Sequence, residues 1–135
     1  MRKGIFTIEE TLSHIETALQ RNRRLGGAAQ RLVRRAMLFM QDHYAEPLSR
    51  EQIANHIGVH ENHLTDCFHQ EMGITPITFL TRVRVQQAKH LLAHTPRSIT
   101  ILRFRVGFTE SAYFSRVFHR EVGQTPRAYR RAHQT

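Results

Sequence analysis

The sequence has little of several things that other classes of protein need. Its single cysteine, Cys67, rules out an intramolecular disulfide framework, so we expect a reducing compartment, the cytoplasm. Seven glycines and four prolines are too few for a fibrous or disordered chain. No apolar run approaches the ~20 residues needed to span a bilayer. The first ten residues turn from basic to acidic, which is not typical of a signal peptide.

Acidic residues are scarce in the C-terminal half. Residues 1–76 carry nine Lys/Arg and nine Asp/Glu, whereas residues 77–135 carry eleven Lys/Arg and two acids, Glu110 and Glu121. The C-terminal half therefore holds the whole net charge of +9. Such a charge favours a polyanionic partner, nucleic acid first and an acidic membrane or protein second.

One segment of the chain occurs twice. Residues 53–79 align with residues 102–129, at an offset of 49 up to the first glycine of each copy and 50 later on. The extra residue of the second copy therefore falls in a turn, where length changes are tolerated. The matching pairs include Leu64 with Phe114, Phe68 with Phe118, Gly73 with Gly123, Pro76 with Pro126, and Phe79 with Tyr129.

Each copy reads as helix, turn, helix. In the first copy, Ser49 and Gln52 form a capping-box pattern that starts a helix, and Gly58 ends it. A second helix is predicted over residues 61–72, with Leu64, Cys67 and Phe68 facing inward. The second copy repeats this plan with a helix over residues 110–121, whose inward positions are Phe114, Val117 and Phe118.

These elements predict an all-α fold of about seven helices. The first helix-turn-helix unit spans residues 48–76, a long linker helix spans 77–94, and the second unit spans 98–131. Together with an upstream helix from residue 28 they form one domain, 28–135, and residues 1–27 form an N-terminal helical extension and linker. Residues 102–106 alternate like a strand, but the repeat makes them part of a helix.

This arrangement suits double-stranded DNA. An α-helix fits the major groove, where every base pair presents a distinct donor and acceptor pattern. Two units on one chain reach successive grooves if they lie about one DNA turn apart, roughly 34 Å. A linker helix of about 17 residues spans on the order of 25 Å, and the offset of each unit adds to that span.

Residues 107–131, GFTESAYFSRVFHREVGQTPRAYRR, resemble the signature of the AraC/XylS family of bacterial transcription regulators. The first copy and the linker pattern of Arg84, Ala88, Leu91 and Leu92 fit as well, so the resemblance covers about residues 32–131. It implies that both recognition helices enter adjacent major-groove segments. It also implies transcriptional control, usually activation and often by contact with RNA polymerase.

The resemblance also indicates which side chains face DNA. On the first recognition helix these are Asn62, His63, Thr65, Asp66 and His69. On the second they are Ser111, Ala112, Ser115, Arg116 and Arg120. We expect most of the phosphate attraction from the second half, namely from Arg82, Arg84, Arg116, Arg120, Arg127, Arg130 and Arg131.

The chain departs from the family pattern at two positions. Arg103 stands where the family has a small alanine, kept as Ala54 in the first copy, so its side chain is expected to reach solvent or push two helices apart. Asp66 stands where many members have a basic or amide residue. An aspartate accepts from cytosine N4 but is repelled by phosphate, and Glu61 and Glu71 add to that repulsion.

Other interpretations have less support. His56, His60, His63 and Cys67 have helical spacings that could suit zinc, but Cys67 lies on the inward stripe, so we expect no metal and no cofactor. No paired carboxylates or phosphate-binding loop indicate an enzyme. A membrane-surface role lacks a long basic amphipathic helix. The rival is a protein-interaction module on a helix-turn-helix scaffold that has lost DNA binding through Arg103 and Asp66.

The N-terminal segment is less informative. Ile8, Leu12, Ile15 and Leu19 form a short heptad-like seam within residues 5–20, which could mediate dimerisation, pack on the domain, or belong to a larger sensor. We favour a monomer because about 12 residues are marginal for an isolated coiled coil. No effector-binding domain is recognisable, so no inducer is inferred. The expected site of action is the nucleoid in the cytoplasm.

Overall fold

The computed structural model describes residues 9, 10, 13 and 27–134, and residues 9, 10 and 13 are helical. Residues 27–134 contain seven helices and no strand, which confirms the all-α prediction. The helices are α1 (Gly27–His43), α2 (Arg50–Ile57), α3 (Glu61–Met72), α4 (Pro76–His94), α5 (Ile99–Arg105), α6 (Ser111–Val122) and α7 (Pro126–His133). No helix in these residues is long and apolar enough to cross a membrane. The predicted seam of Ile8, Leu12, Ile15 and Leu19 lies outside the described residues.

Hydrogen-bonded caps set the helix starts. The Ser49 hydroxyl accepts from the Gln52 amide at 3.1 Å, and the Ser49 amide donates to Gln52 Oε1 at 2.8 Å, which completes the predicted capping box. The Thr75 and Thr125 hydroxyls cap α4 and α7 by accepting from the Thr78 and Ala128 amides, each at 3.1 Å, and each threonine is followed by a proline at the first helical position. The repeated Thr-Pro therefore begins the same kind of helix in both copies.

Two hydrophobic cores lie along α4. The first is formed by α1, α2, α3 and the first half of α4, which contributes Phe79, Leu80 and Val83. The second is formed by α5, α6 and the second half of α4, which contributes Val85, Ala88 and Leu92. Within residues 27–134, the helices of each unit pack on one another and on α4. The predicted linker helix is thus shared by both cores.

Residues 102–106 are not a strand. Residues 99–105 form α5, and Leu102 and Val106 have no exposed surface in the second core. The expectation that the Arg103 side chain reaches solvent is wrong, and the expectation that it pushes two helices apart stays a prediction. Its side chain is buried, with 8% of the residue exposed, and it donates from Nη1 to the Phe108 carbonyl at 3.1 Å. The core closes around this arginine because its guanidinium has a backbone acceptor inside the turn.

Candidate nucleic-acid interface

One face of α3 is exposed and the other is buried. Of the predicted contact residues, Asn62, His63, Asp66 and His69 are exposed and Thr65 is half-buried. The opposite face carries Leu64, Cys67 and Phe68, all buried in the first core. The amphipathic pattern predicted from the sequence therefore separates a core face from a polar face on this helix.

The second recognition helix, α6, has the same division. Its predicted contact residues, Ser111, Ala112, Ser115, Arg116 and Arg120, are all exposed. Phe114, Val117 and Phe118 are buried on the other side. The ten predicted residues thus form two separate polar faces, one on each unit, at equivalent positions of the repeat.

Arg50 is a neighbour of the α3 face that the sequence did not indicate. It is the first residue of α2, and its guanidinium donates to the Thr65 hydroxyl at 3.0 Å and to Glu61 Oε1 at 2.5 Å. The Thr65 hydroxyl in turn donates to the Glu61 carbonyl at 3.0 Å. Thr65 is therefore held by two partners, and a cation lies beside the first turn of α3. Nothing in the spacing of Arg50, 15 residues from Thr65, predicts this contact.

On α6, Tyr113 is a second neighbour that sequence reasoning missed. The Arg116 guanidinium carbon lies 5.6 Å from the centre of the Tyr113 ring, a cation–π distance. Tyr113 is 40% exposed and precedes Arg116 by three positions, so both side chains lie on one surface of the helix. The i, i+3 spacing of an aromatic and a cation was the available signal for this pair.

Three of the arginines predicted to attract phosphate form hydrogen bonds or an ion pair within the protein. Arg84 donates to the carbonyls of Tyr44 and Glu46, each at 2.7 Å, and Arg130 donates to those of Leu92 at 3.1 Å and Thr95 at 3.2 Å. Arg82 pairs with Glu121 at 3.3 Å, with both side chains less than 15% exposed. The expectation that these three arginines attract phosphate stays a prediction. Arg116, Arg120, Arg127 and Arg131 remain exposed.

Fewer unpaired carboxylates are exposed on α3 than its sequence indicates. Glu71 is buried, with 7% of the residue exposed, and faces away from the polar surface. Glu61 is paired with Arg50. Asp66 is the exposed carboxylate among the predicted contact residues of α3.

The histidines near α3 have structural partners. His60 Nδ1 accepts from the Asn62 amide at 3.0 Å and so caps α3. His63 Nε2 lies 3.8 Å from Cys67 Sγ, one turn away on the same helix. Among the described residues, no three His, Cys, Asp or Glu side chains are grouped so as to hold a metal ion.

Known proteins share this pair of units. Residues 53–132 match the family described as "Helix-turn-helix domain". The chain is 34% identical over 115 residues to the HTH-type transcriptional activator RhaS of Shigella boydii, and the match covers 85% of this chain but only 40% of RhaS. The chain thus spans well under half the length of that relative.

Two solved structures are similar in both sequence and fold. One is the C-terminal domain of AraT, a response regulator from Geobacillus stearothermophilus, with 34% identity and a TM-score of 0.74 over 77% of this chain and 87% of that one. The other is an AraC-type transcriptional regulator from Chromobacterium violaceum, with 29% identity and a TM-score of 0.73 over 79% and 96%. With its duplicated units, shared linker helix and two polar helix faces, the chain belongs to the AraC/XylS family of helix-turn-helix transcription regulators.

Proposed function

We propose that the chain binds double-stranded DNA sequence-specifically, with α3 and α6 in two successive major-groove segments. The observation that carries this proposal is one exposed polar face repeated on two helices whose other faces are buried. The 19 residues of α4 span roughly 28 Å at 1.5 Å per residue, and the offset of each unit adds toward the ~34 Å of one DNA turn.

The two helices have different chemistry for reading bases. Arg116 on α6 can donate two hydrogen bonds to guanine, whereas its repeat equivalent on α3, Asp66, can accept from cytosine N4. Arg120 adds positive charge on α6 for phosphate. We therefore infer that α6 contributes more affinity and α3 contributes chiefly discrimination.

Selection of bound duplexes from a random pool tests the proposal. We expect an enriched motif of two short blocks about one helical turn apart, because two helices on one chain read the same side of the duplex. A single enriched block would contradict the use of both helices. An absence of enrichment would contradict sequence-specific binding altogether.

Replacing Arg116 by alanine tests its role in that motif. We expect a loss of about 1–3 kcal/mol in binding free energy on the selected sequence and a relaxed preference at one base position. Arg31→Ala is the control because Arg31 is an exposed arginine on α1, outside both recognition helices. Equal losses on selected and random duplexes would make Arg116 a phosphate contact instead.

We further propose that the chain activates transcription at the nucleoid, in the cytoplasm, in contact with RNA polymerase. The support is the similarity to RhaS, an HTH-type transcriptional activator, over 40% of the length of RhaS. Transcription from a promoter carrying the selected motif should rise when the protein is added. A fall would make it a repressor.

We propose residues 28–135 as the DNA-binding domain and a monomer as its state in solution. Sedimentation equilibrium of the full chain and of a variant lacking residues 1–26 tests both points. A dimer that is lost on truncation would instead assign residues 5–20 to a dimerisation seam.

The alternative of a protein-interaction module that has lost DNA binding depended on Arg103 and Asp66. Arg103 is accommodated within a closed core, so it gives no reason for a damaged second unit. Asp66 alone then supports the alternative. A binding constant for duplex DNA that does not fall with added salt would favour it.

A further inference from the structure

The two units meet at the middle of α4. Val83 belongs to the first core and Val85 to the second, and Arg84 lies between them. The Arg84 side chain donates from Nε to the Tyr44 carbonyl and from Nη2 to the Glu46 carbonyl, each at 2.7 Å. Both carbonyls belong to the segment that follows α1. Arg84 therefore ties the linker helix to the first unit at the boundary between the two cores.

The second unit packs against this same point through Gly107, the glycine in the turn of its helix-turn-helix. A Cβ atom added at Gly107 would lie 2.7 Å from Arg84 Nε and 2.8 Å from the Tyr44 carbonyl oxygen. Atoms of folded proteins essentially never approach a Cβ so closely, and one of the two neighbours is backbone. We call this meeting of Tyr44, Arg84 and Gly107 the junction.

The repeat shows that this packing is not a requirement of the turn itself. Gly58 occupies the equivalent position in the first unit and has φ +87°, comparable with φ +102° at Gly107. A Cβ atom added at Gly58 would meet nothing within 4 Å. Both glycines supply the left-handed backbone of the turn. Gly107 alone of this pair is also pressed against another part of the chain.

The junction is partly buried and hydrogen-bonded as well as close. Burial lowers the pKa of Arg84, as expected for a guanidinium taken out of water, and its partners are two fixed backbone carbonyls. The Tyr44 side chain packs against both cores. Elsewhere, contact between the two units is chiefly indirect, because the helices of both units pack on α4.

We propose that the junction of Tyr44, Arg84 and Gly107 fixes the orientation of α6 relative to α3 and thereby selects the spacing between the two base blocks that the protein reads. This inference rests on the proposed DNA-binding function. A helix can bend or twist between two cores, whereas a bonded guanidinium and a close glycine contact at its middle hold one arrangement. The junction residues thus act on DNA specificity without touching DNA.

Duplexes that carry the two selected blocks at different separations test this role. The separation is changed in steps of about one base pair, ~3.4 Å along the axis. The wild-type protein should show one sharp optimum. Gly107→Ala should lose that optimum and bind the best duplex about 10²-fold more weakly, since linked readers that cannot engage together lose their avidity. Its affinity for either block alone should stay close to that of the wild type.

Gly58→Ala is the matched control. It strains the same kind of turn but meets no neighbour, so it should lower the melting temperature while keeping the spacing optimum. Arg84→Met is a second junction variant, for use if Gly107→Ala fails to fold. It removes the hydrogen bonds to the Tyr44 and Glu46 carbonyls but keeps the aliphatic part of the side chain. Its control is Arg130→Met, because Arg130 also donates to two backbone carbonyls, both at the end of α4 within the second unit.

A distance measurement without DNA tests the role of the junction separately from the proposed DNA-binding function. Spin labels at cysteines replacing His69 and His119, equivalent exposed positions on α3 and α6, report the separation of the helices in a Cys67→Ala background. Gly107→Ala and Arg84→Met should shift or broaden the distribution, and the two controls should leave it unchanged. The inference would be overturned if both junction variants kept the wild-type distance between the spin labels and the wild-type optimum for the separation of the two blocks. No preferred DNA sequence for the wild type would overturn the proposed function and this inference with it.

Discussion

Arg103 shows how a long cation is accommodated where two helices meet. Its Nη1 donates to the Phe108 carbonyl, and its guanidinium carbon lies 4.4 Å from the centre of the Phe104 ring. Phe104, 55% exposed, thus lies against the guanidinium. The side chain fills volume in a core that also contains Leu102, Phe108 and Phe114, so its size contributes to packing as much as its charge does.

Two substitutions separate volume from charge at this position. Arg103→Ala should lower the free energy of unfolding by about 2 kcal/mol, because it leaves an unfilled space. Arg103→Met should stay within about 1 kcal/mol of the wild type, because it fills most of that space and removes a buried charge. Urea denaturation measures both. Equal losses in the two variants would show that the bond to Phe108 dominates.

Cys67 is the single cysteine of the chain, and its free thiol lies in the first core. It is 4% exposed, and its thiol pKa is raised by burial first and then by the charges of Asp66 and Glu71. The thiolate is the nucleophile, so a raised pKa and poor access both slow its chemistry. Because the folded pKa exceeds the unfolded one, this group stabilises the fold below the unfolded pKa, and the effect is lost as pH rises through the folded value.

The thiol should therefore react with a disulfide reagent far more slowly in the native protein than in urea. The free energy of unfolding should also fall as pH rises above the ordinary thiol pKa, about 8.5. Cys67→Ala is the control, and it should show a smaller fall. Tyr129 is partly buried, and its pKa is also raised by burial, so it acts in the same direction and remains in that variant. Equal reaction rates with and without urea would contradict the assignment.

At the scale of elements, the sequence predicted most of what the structure has. Caps, glycine turns and apolar periodicity are local signals, so each end of α2, α3, α4 and α6 is predicted to within one residue. The alternation of residues 102–106 by itself would predict a strand, which is wrong. Their alignment with the helix of the first copy predicts a helix instead. The exposure of the ten residues predicted to face DNA agrees with the same periodicity, because their neighbours are the residues that fill the cores, whereas their role in DNA binding is implied by the family resemblance and stays a prediction.

Partners of charged side chains could not be predicted in this way. Arg84 reaches a carbonyl 40 residues away, and Arg50 reaches Thr65 across the turn between two helices. Such contacts depend on how elements pack, and one sequence contains no record of that. The exposed and the internal arginines of the second half look alike in the sequence for this reason.

Arg50 gives a prediction about the first helix-turn-helix unit as an element. Arg50→Ala removes the partner of Glu61 and leaves a free carboxylate at the start of α3. Binding to selected and random duplexes should therefore weaken alike, by about 1 kcal/mol. The double variant Arg50→Ala, Glu61→Gln should recover most of that loss, since the carboxylate is gone. Binding constants from fluorescence anisotropy test this, and no recovery would mean that Arg50 itself contacts DNA.

At the scale of the whole molecule, several charges of residues 27–134 are engaged within the protein and not free at its surface. In the second half, Arg82, Arg84, Arg103 and Arg130 have partners within the protein. In the first half, Glu61 is paired and Glu71 is buried. Both changes reduce the difference between the units. The surface is still basic, through the exposed arginines of the second half: Arg97, Arg105, Arg116, Arg120, Arg127 and Arg131.

The salt dependence of DNA binding measures how many of these charges meet phosphate. Each neutralised phosphate contributes a slope of about −0.9 to log K against log salt, so six exposed arginines at most predict a slope of about −5 or shallower. If all eleven basic residues of the second half were engaged, the slope would approach about −10. Arg120→Gln should make the slope shallower by about 1, because the Arg120 side chain is 63% exposed on α6 although it also contacts Glu121 at 3.3 Å. Arg82→Gln should leave the slope unchanged, because the Arg82 side chain contacts the same carboxylate but is only 13% exposed, and an equal effect of both variants would place Arg82 at the DNA interface.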